Sequence, residues 1–135
     1  MGFSNAARTA INANIFLGTA LPWDANTDLW IALYSADPGA SGTAVTNEAT
    51  WTNYARVPLD RGTEFGAATN TIDNDILVQF PICGVTGQTV THVGIVDTAS
   101  GAGNLIISGA LLAPQAIAQG NQPQFNLGNL VVTLT

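Results

Sequence analysis

Hydrophobic spacing divides the chain into one helical stretch followed by a series of short strands. Ala7, Ile11 and Ile15 recur every four residues and so share one stripe of a helix predicted over residues 4–17. Ser4 or Asn5 is placed to cap it, Phe3 stands ahead as a staple residue, and Gly18 is placed to end it. The stripe is narrow and short, so this helix needs a docking surface. After Pro22 the pattern changes. Leu29-Trp30-Ile31-Ala32-Leu33-Tyr34 is nearly all apolar, as in a strand buried on both faces. Residues 36–52 are rich in Gly, Ser, Thr and Ala, carry Asp37-Pro38-Gly39 as a turn signal, and read as a long exposed loop. Tyr54 to Leu59 returns as a short strand, placed at an edge because Pro58 has no N–H to donate.

The second half alternates with period two. Ile76, Val78 and Phe80 face one way within Asn70–Phe80, and Val93 and Ile95 oppose His92, Gly94 and Val96 within Thr89–Val96. Gly94 inside a strand predicts the close approach of another backbone or a ring. Further strand segments are Asn104–Ser108, Gln115–Ala118, Gln122–Leu127 and an internal Leu130–Leu134. Short strands with turn signals every eight to twelve residues predict a mostly-β chain, an antiparallel β-sandwich with one N-terminal helix, as a single domain over residues 1–135. A chain of this length buries about two-thirds of its surface on folding, so it needs neither disulfides nor a metal.

Charge narrows the function more than length does. The chain has no lysine, only Arg8, Arg56 and Arg61 as fixed cations, and a net charge of -6. So few cations cannot neutralise many phosphates, and anionic lipid repels the chain, which argues against nucleic-acid and membrane partners. Only 9% of residues are charged, well below the usual share for a freely exposed surface. A surface of Thr, Asn, Gln, Ser, Gly and Ala suits a protein pressed against other proteins. No apolar run is long enough to span a bilayer, and Asn12 and Asn14 break the N-terminal stretch that a signal peptide would need.

A search for chemistry finds little. A Ser-His-Asp arrangement would depend on His92, the only histidine, yet no Gly-x-Ser-x-Gly elbow is present and His92 reads as a sheet residue. Nothing marks Cys83 as an activated thiol beside it. One cysteine and one histidine cannot build a usual zinc site. Asp24-Ala25-Asn26-Thr27-Asp28 opens like a calcium loop, but Leu29 replaces the turn glycine and Ser35 the closing glutamate. That cluster and Asp73-Asn74-Asp75 read as turn carboxylates. The expectation is a non-enzyme with no catalytic residues, no metal and no cofactor. Trp23, Trp51 and Tyr54 flank loops and are the candidate protein-interface residues, because loop aromatics anchor interfaces.

Several segments, in order along most of the chain, resemble a family of small tailed-phage virion proteins, labelled tail-fibre-like and including capsid decoration (cement) proteins. They are Phe3-Ser4-Asn5-Ala6-Ala7, Trp30 through Pro38, Tyr54-Ala55-Arg56, Ala68-Thr69-Asn70-Thr71, Phe80-Pro81, Val90 through Asp97, and Gly103-Asn104-Leu105 through Ser108-Gly109-Ala110-Leu111. The resemblance implies a virion component, synthesised in the host cytoplasm, with no catalytic residues. The resemblance leaves the place on the particle open; together with the composition it favours a capsid decoration protein on the outer capsid surface, bound between major capsid protein subunits as a homo-oligomer, a trimer being favoured. The other reading is a tail or fibre-tip module that binds a host receptor through exposed Trp23, Trp51 and Tyr54. The absence of repeats, coiled-coil heptads and a long shaft favours the first.

Overall fold

The computed structural model describes residues 1–66 and 69–133. Its largest unit is a five-stranded antiparallel sheet in the order β1-β7-β6-β2-β3, made of Gly2–Phe3 (β1), Asp28–Tyr34 (β2), Val57–Asp60 (β3), Gln88–Val96 (β6) and Leu105–Ile117 (β7). Two small antiparallel pairs complete the strands. Thr71–Asp73 (β4) pairs with Val131–Thr133 (β9), and Val78–Gln79 (β5) pairs with Gln124–Phe125 (β8). The architecture is mostly β and sandwich-like, with one helix.

Alternation along β2 explains how the layers form. Ile31 and Leu33 point into the main core with Val93, Ile95 and Ile107 of the large sheet, Val78 and Val132 from the small pairs, and Phe80 and Leu130 next to them in the chain. Ala32 and Tyr34 point the other way, into a second core with Val96, Leu105 and Ala44. A strand apolar on both faces is therefore sandwiched on both faces. Gly94 is the thinnest point of this arrangement. A Cβ there would lie 2.9 Å from Tyr34 Cε2, 3.0 Å from Leu105 Cδ1 and 3.1 Å from the Ile107 carbonyl. Val96 pairs with Leu105 and Ile95 with Ile107, so Ile106 is a bulge residue that keeps each neighbour on its own face.

The helix α1 (Asn5–Leu17) is set by its caps. The Ser4 hydroxyl accepts the Ala7 N–H and donates to the Leu105 carbonyl, fixing the helix start to β7. Gly18 adopts the left-handed conformation, at φ 67°, and its N–H closes on the Ala13 carbonyl. Of the predicted stripe, Ala7 is buried and Ile11 half-buried, but Ile15 is exposed. The helix docks through its first turns only.

Residues 36–52 run as a loop with many exposed residues, but Pro38, Ala44, Ala49 and Trp51 are buried within it, and Glu48 bridges to Tyr34. Three expectations need correction. Asn104–Ser108 and Gln115–Ala118 belong to one long strand, β7, rather than two. Asn70–Phe80 is broken at Asn74, whose buried amide takes the Leu130 N–H and donates to the carbonyls of Ile76 and Asn126. Among the described residues Val131–Thr133 pairs with β4 alone and is not internal to a sheet; Ala68 and Leu134 lie outside the described residues.

Candidate interaction surface

Trp23, Trp51 and Tyr54 are the aromatic residues that loop position marks as contacts, and the fold places them inward. Trp51 is 2% exposed and Trp23 6%, while Tyr54 is half-buried. Trp51 meets Tyr54 edge-on at a centroid distance of 4.7 Å and Phe80 at 6.2 Å, and Tyr54 stacks on Phe80. The expectation that these three stand exposed is thus corrected. A loop aromatic is drawn into any core within reach, because few side chains remove as much apolar area from water. The buried Trp51 Nε1 has no hydrogen-bond partner among the described residues.

Beside this aromatic group lies a buried ionic network. Arg56 Nε and Nη2 donate to the two oxygens of Glu48 at 2.6 and 2.8 Å. Its remaining donors reach the Thr98 carbonyl and hydroxyl and the Gly101 carbonyl, so the whole guanidinium fork is used. Burial works against the Arg56 charge, but the hydrogen bonds and charge of Glu48 outweigh it and hold its pKa above the usual value. Tyr54 donates its hydroxyl to Glu48 Oε1 and accepts the Leu33 N–H. Burial, reinforced by the Glu48 charge, raises both tyrosine pKa values well above their ordinary 10.0. The network ties residues 44–56 to the β6–β7 hairpin and to β2. It joins segments of the fold, and every Arg56 donor is taken up within it.

The other residues with chemical potential are engaged locally. His92 Nδ1 lies 2.8 Å from the Thr91 hydroxyl. Cys83 is buried, its sulfur 3.5 Å from the Gly84 carbonyl. Asp24 accepts the Leu21 N–H and so closes a turn. Among the described residues, no group of three or more His, Cys, Asp or Glu side chains is placed to hold a metal ion.

The fold also exposes several large apolar side chains. Ile15, Phe16 and Leu17 at the end of α1 are 64, 77 and 78% exposed. The second feature is a large irregularity of β7. Val90 pairs with Gln115 and His92 with Ala110, so Thr91 alone faces the excursion Leu111–Pro114. Leu112 at its tip is fully exposed, at 110%. Beside it opens a groove of about 740 Å³. Its floor includes Leu33, Val90 and Val93, and its walls include Leu111, Phe125, Leu130 and Val131. No ionisable side chain lines it.

This surface had a sequence signal that spacing arguments passed over. From Thr98 onward the chain has no ionisable side chain, so all nine carboxylates and all three arginines lie in residues 1–97. The groove is built largely from that uncharged part. The exposed helix tip is likewise uncharged between Arg8 and Asp24.

A family model described as podophage GP4 fiber I protein gp80 matches residues 2–133. The chain belongs to this gp80 fibre family. It is a phage fibre-type protein, and so virion-associated, in agreement with the tail-fibre-like resemblance of its motifs. No curated protein matches the chain.

Proposed function

We propose that this chain is a non-catalytic structural module of a phage fibre, held in the particle through its uncharged apolar surface. The observation that carries the reading is the combination of that surface with a family match over residues 2–133. Exposed Leu112, Phe16 and Leu17 would each be costly to leave in water on a free monomer, and burial against a partner recovers that free energy. Residues of the buried aromatic group no longer serve as receptor contacts in this reading. The surface of β7 and the tip of α1 take their place.

A second reading is a capsid decoration protein that binds between major capsid protein subunits on the outer shell. It is favoured by the lack of repeats and of heptads in the chain. The two readings differ in copy number. Quantitative mass spectrometry of purified particles, scaled to the major capsid protein, separates them. A ratio of a few percent or less is expected for a fibre module. A ratio near one to one would overturn the fibre reading and assign the chain to the shell.

A further inference from the structure

We propose that the groove and the Leu112 projection beside it form a docking site for a second copy of this chain. The inference rests on the reading of this surface as an assembly interface, and it names the partner and the contact. Its first support is shape. Leu112 stands fully exposed at the tip of the Leu111–Pro114 excursion, and the groove opens next to it. A two-fold contact needs a patch complementary to itself, and a projection beside a recess meets that need. Leu112 of each copy enters the groove of the other.

Charge supplies the second support. The chain carries a net charge of -6, so two copies meeting on the faces that hold carboxylates set acid against acid. The groove lining contains no carboxylate, and Met1 is the one lining residue that brings an ionisable group, its α-amino group, so here copies meet without acid set against acid. Gln115, Gln124 and Asn129 on the lining provide uncharged hydrogen-bonding groups for the rim.

The edge of the sheet sets the manner of contact. β1 covers β7 only at Ile107 and Ser108, so past that point the outer edge of β7 has no partner strand among the described residues. Regular strand addition is nonetheless blocked, because Pro114 has no N–H and the excursion breaks the ladder. Side chains, with Leu112 foremost, therefore carry the docking.

Sedimentation equilibrium of the full chain tests this. The wild-type chain is expected to self-associate, and Leu112→Asp to raise the dissociation constant on the order of a thousandfold. A central hot-spot truncation costs about thirtyfold per copy, and two-fold symmetry counts it twice. Leu112→Ala, which removes the projection without adding charge, decides the matter if the aspartate variant fails to fold. Val85→Asp, at an exposed apolar site outside the groove lining, is expected to leave association unchanged. A wild-type chain that stays monomeric would overturn the proposal, as would a folded Leu112 variant that assembles like wild type. So would a Val85→Asp variant that dissociates as fully as the Leu112 variants. Particle copy number does not enter this test. A monomeric chain present at fibre-level copy number would remove the self-contact and leave the fibre reading standing.

Discussion

Replacing Arg56 by Met tests what holds residues 44–56 to the rest of the fold. The Arg56 side chain is 2% exposed and that of Glu48 14%, so the pair is almost wholly out of water. Removing the guanidinium strips both Glu48 oxygens of their cation and leaves the Thr98 and Gly101 carbonyls without their donor. Breaking a buried pair by deleting one partner costs roughly 3–5 kcal/mol. Here the Tyr54 hydroxyl still donates to Glu48 Oε1, and Glu48 keeps some contact with water, which places the loss near the lower end, about 3 kcal/mol. A chain of this size has a total stability of roughly 7–20 kcal/mol, so the loss is a large share of it. At about 4 °C per kcal/mol the melting temperature falls by about 12 °C. Urea unfolding followed by tryptophan fluorescence reads the change, since Trp23 and Trp51 are both buried. The double variant Arg56→Met, Glu48→Gln is expected to recover much of the loss, because no uncompensated carboxylate then remains buried. A loss below about 1 kcal/mol would place the pair among surface bridges of little worth and refute the argument. Strict additivity of the two substitutions would show that the groups are not coupled.

Two further outcomes follow from the core. Gly94→Ala forces a methyl group against Tyr34, Leu105 and the Ile107 carbonyl, and is expected to cost about 2 kcal/mol in the same urea experiment; an unchanged midpoint would contradict the close approach. Both tyrosines have folded pKa values raised above 10.0, so the stability they contribute is present below that pH and is lost as pH rises beyond it. Phenolate absorbance is therefore expected to stay flat past pH 10 and to appear for both residues together when the alkaline chain unfolds. A phenolate signal from one tyrosine in the still-folded chain would show that its hydroxyl is not sealed in.

The elements that depend on local chemistry were readable from the sequence. Ser4 and Gly18 mark the helix ends because capping needs only those residues and their neighbours. Pro58 marks β3 as an edge, and the unbroken apolar run of β2 marks a strand with two buried faces. Gly94 reads correctly as a close approach because nothing else explains a glycine there. What was not readable depended on distant partners. Residues 36–52 look like a loop by composition, but Ala44 and Trp51 find cores built from β2, β6 and β7, and Glu48 finds Arg56. The same long-range packing turned the three candidate aromatics inward. The Leu111–Pro114 excursion is a register event between β6 and β7, and no single-strand pattern encodes it.

The use of charge in this molecule connects the fold to its assembly. With three arginines and no lysine, cations are scarce, and two of the three bind the fold's own acceptors, Arg56 buried and Arg61 at the surface. Arg56 binds Glu48, Thr98 and Gly101, and Arg61 Nη1 gathers the carbonyls of Trp23, Asp24 and Asn26. Both act as ties between segments, and three arginines in all leave most of the nine carboxylates unbalanced. Acids outside such pairs repel other acidic chains, and they do so in proportion to how closely they approach. A protein that must be packed among copies or partners can answer this by confining its carboxylates to one part of the chain. Here they stop at Asp97, and the strand that follows supplies the exposed leucine and the walls of the groove. Placing a carboxylate at Leu112 breaks that separation with a single side chain, which is why that one substitution is expected to act on assembly while leaving the melting temperature of the isolated chain unchanged.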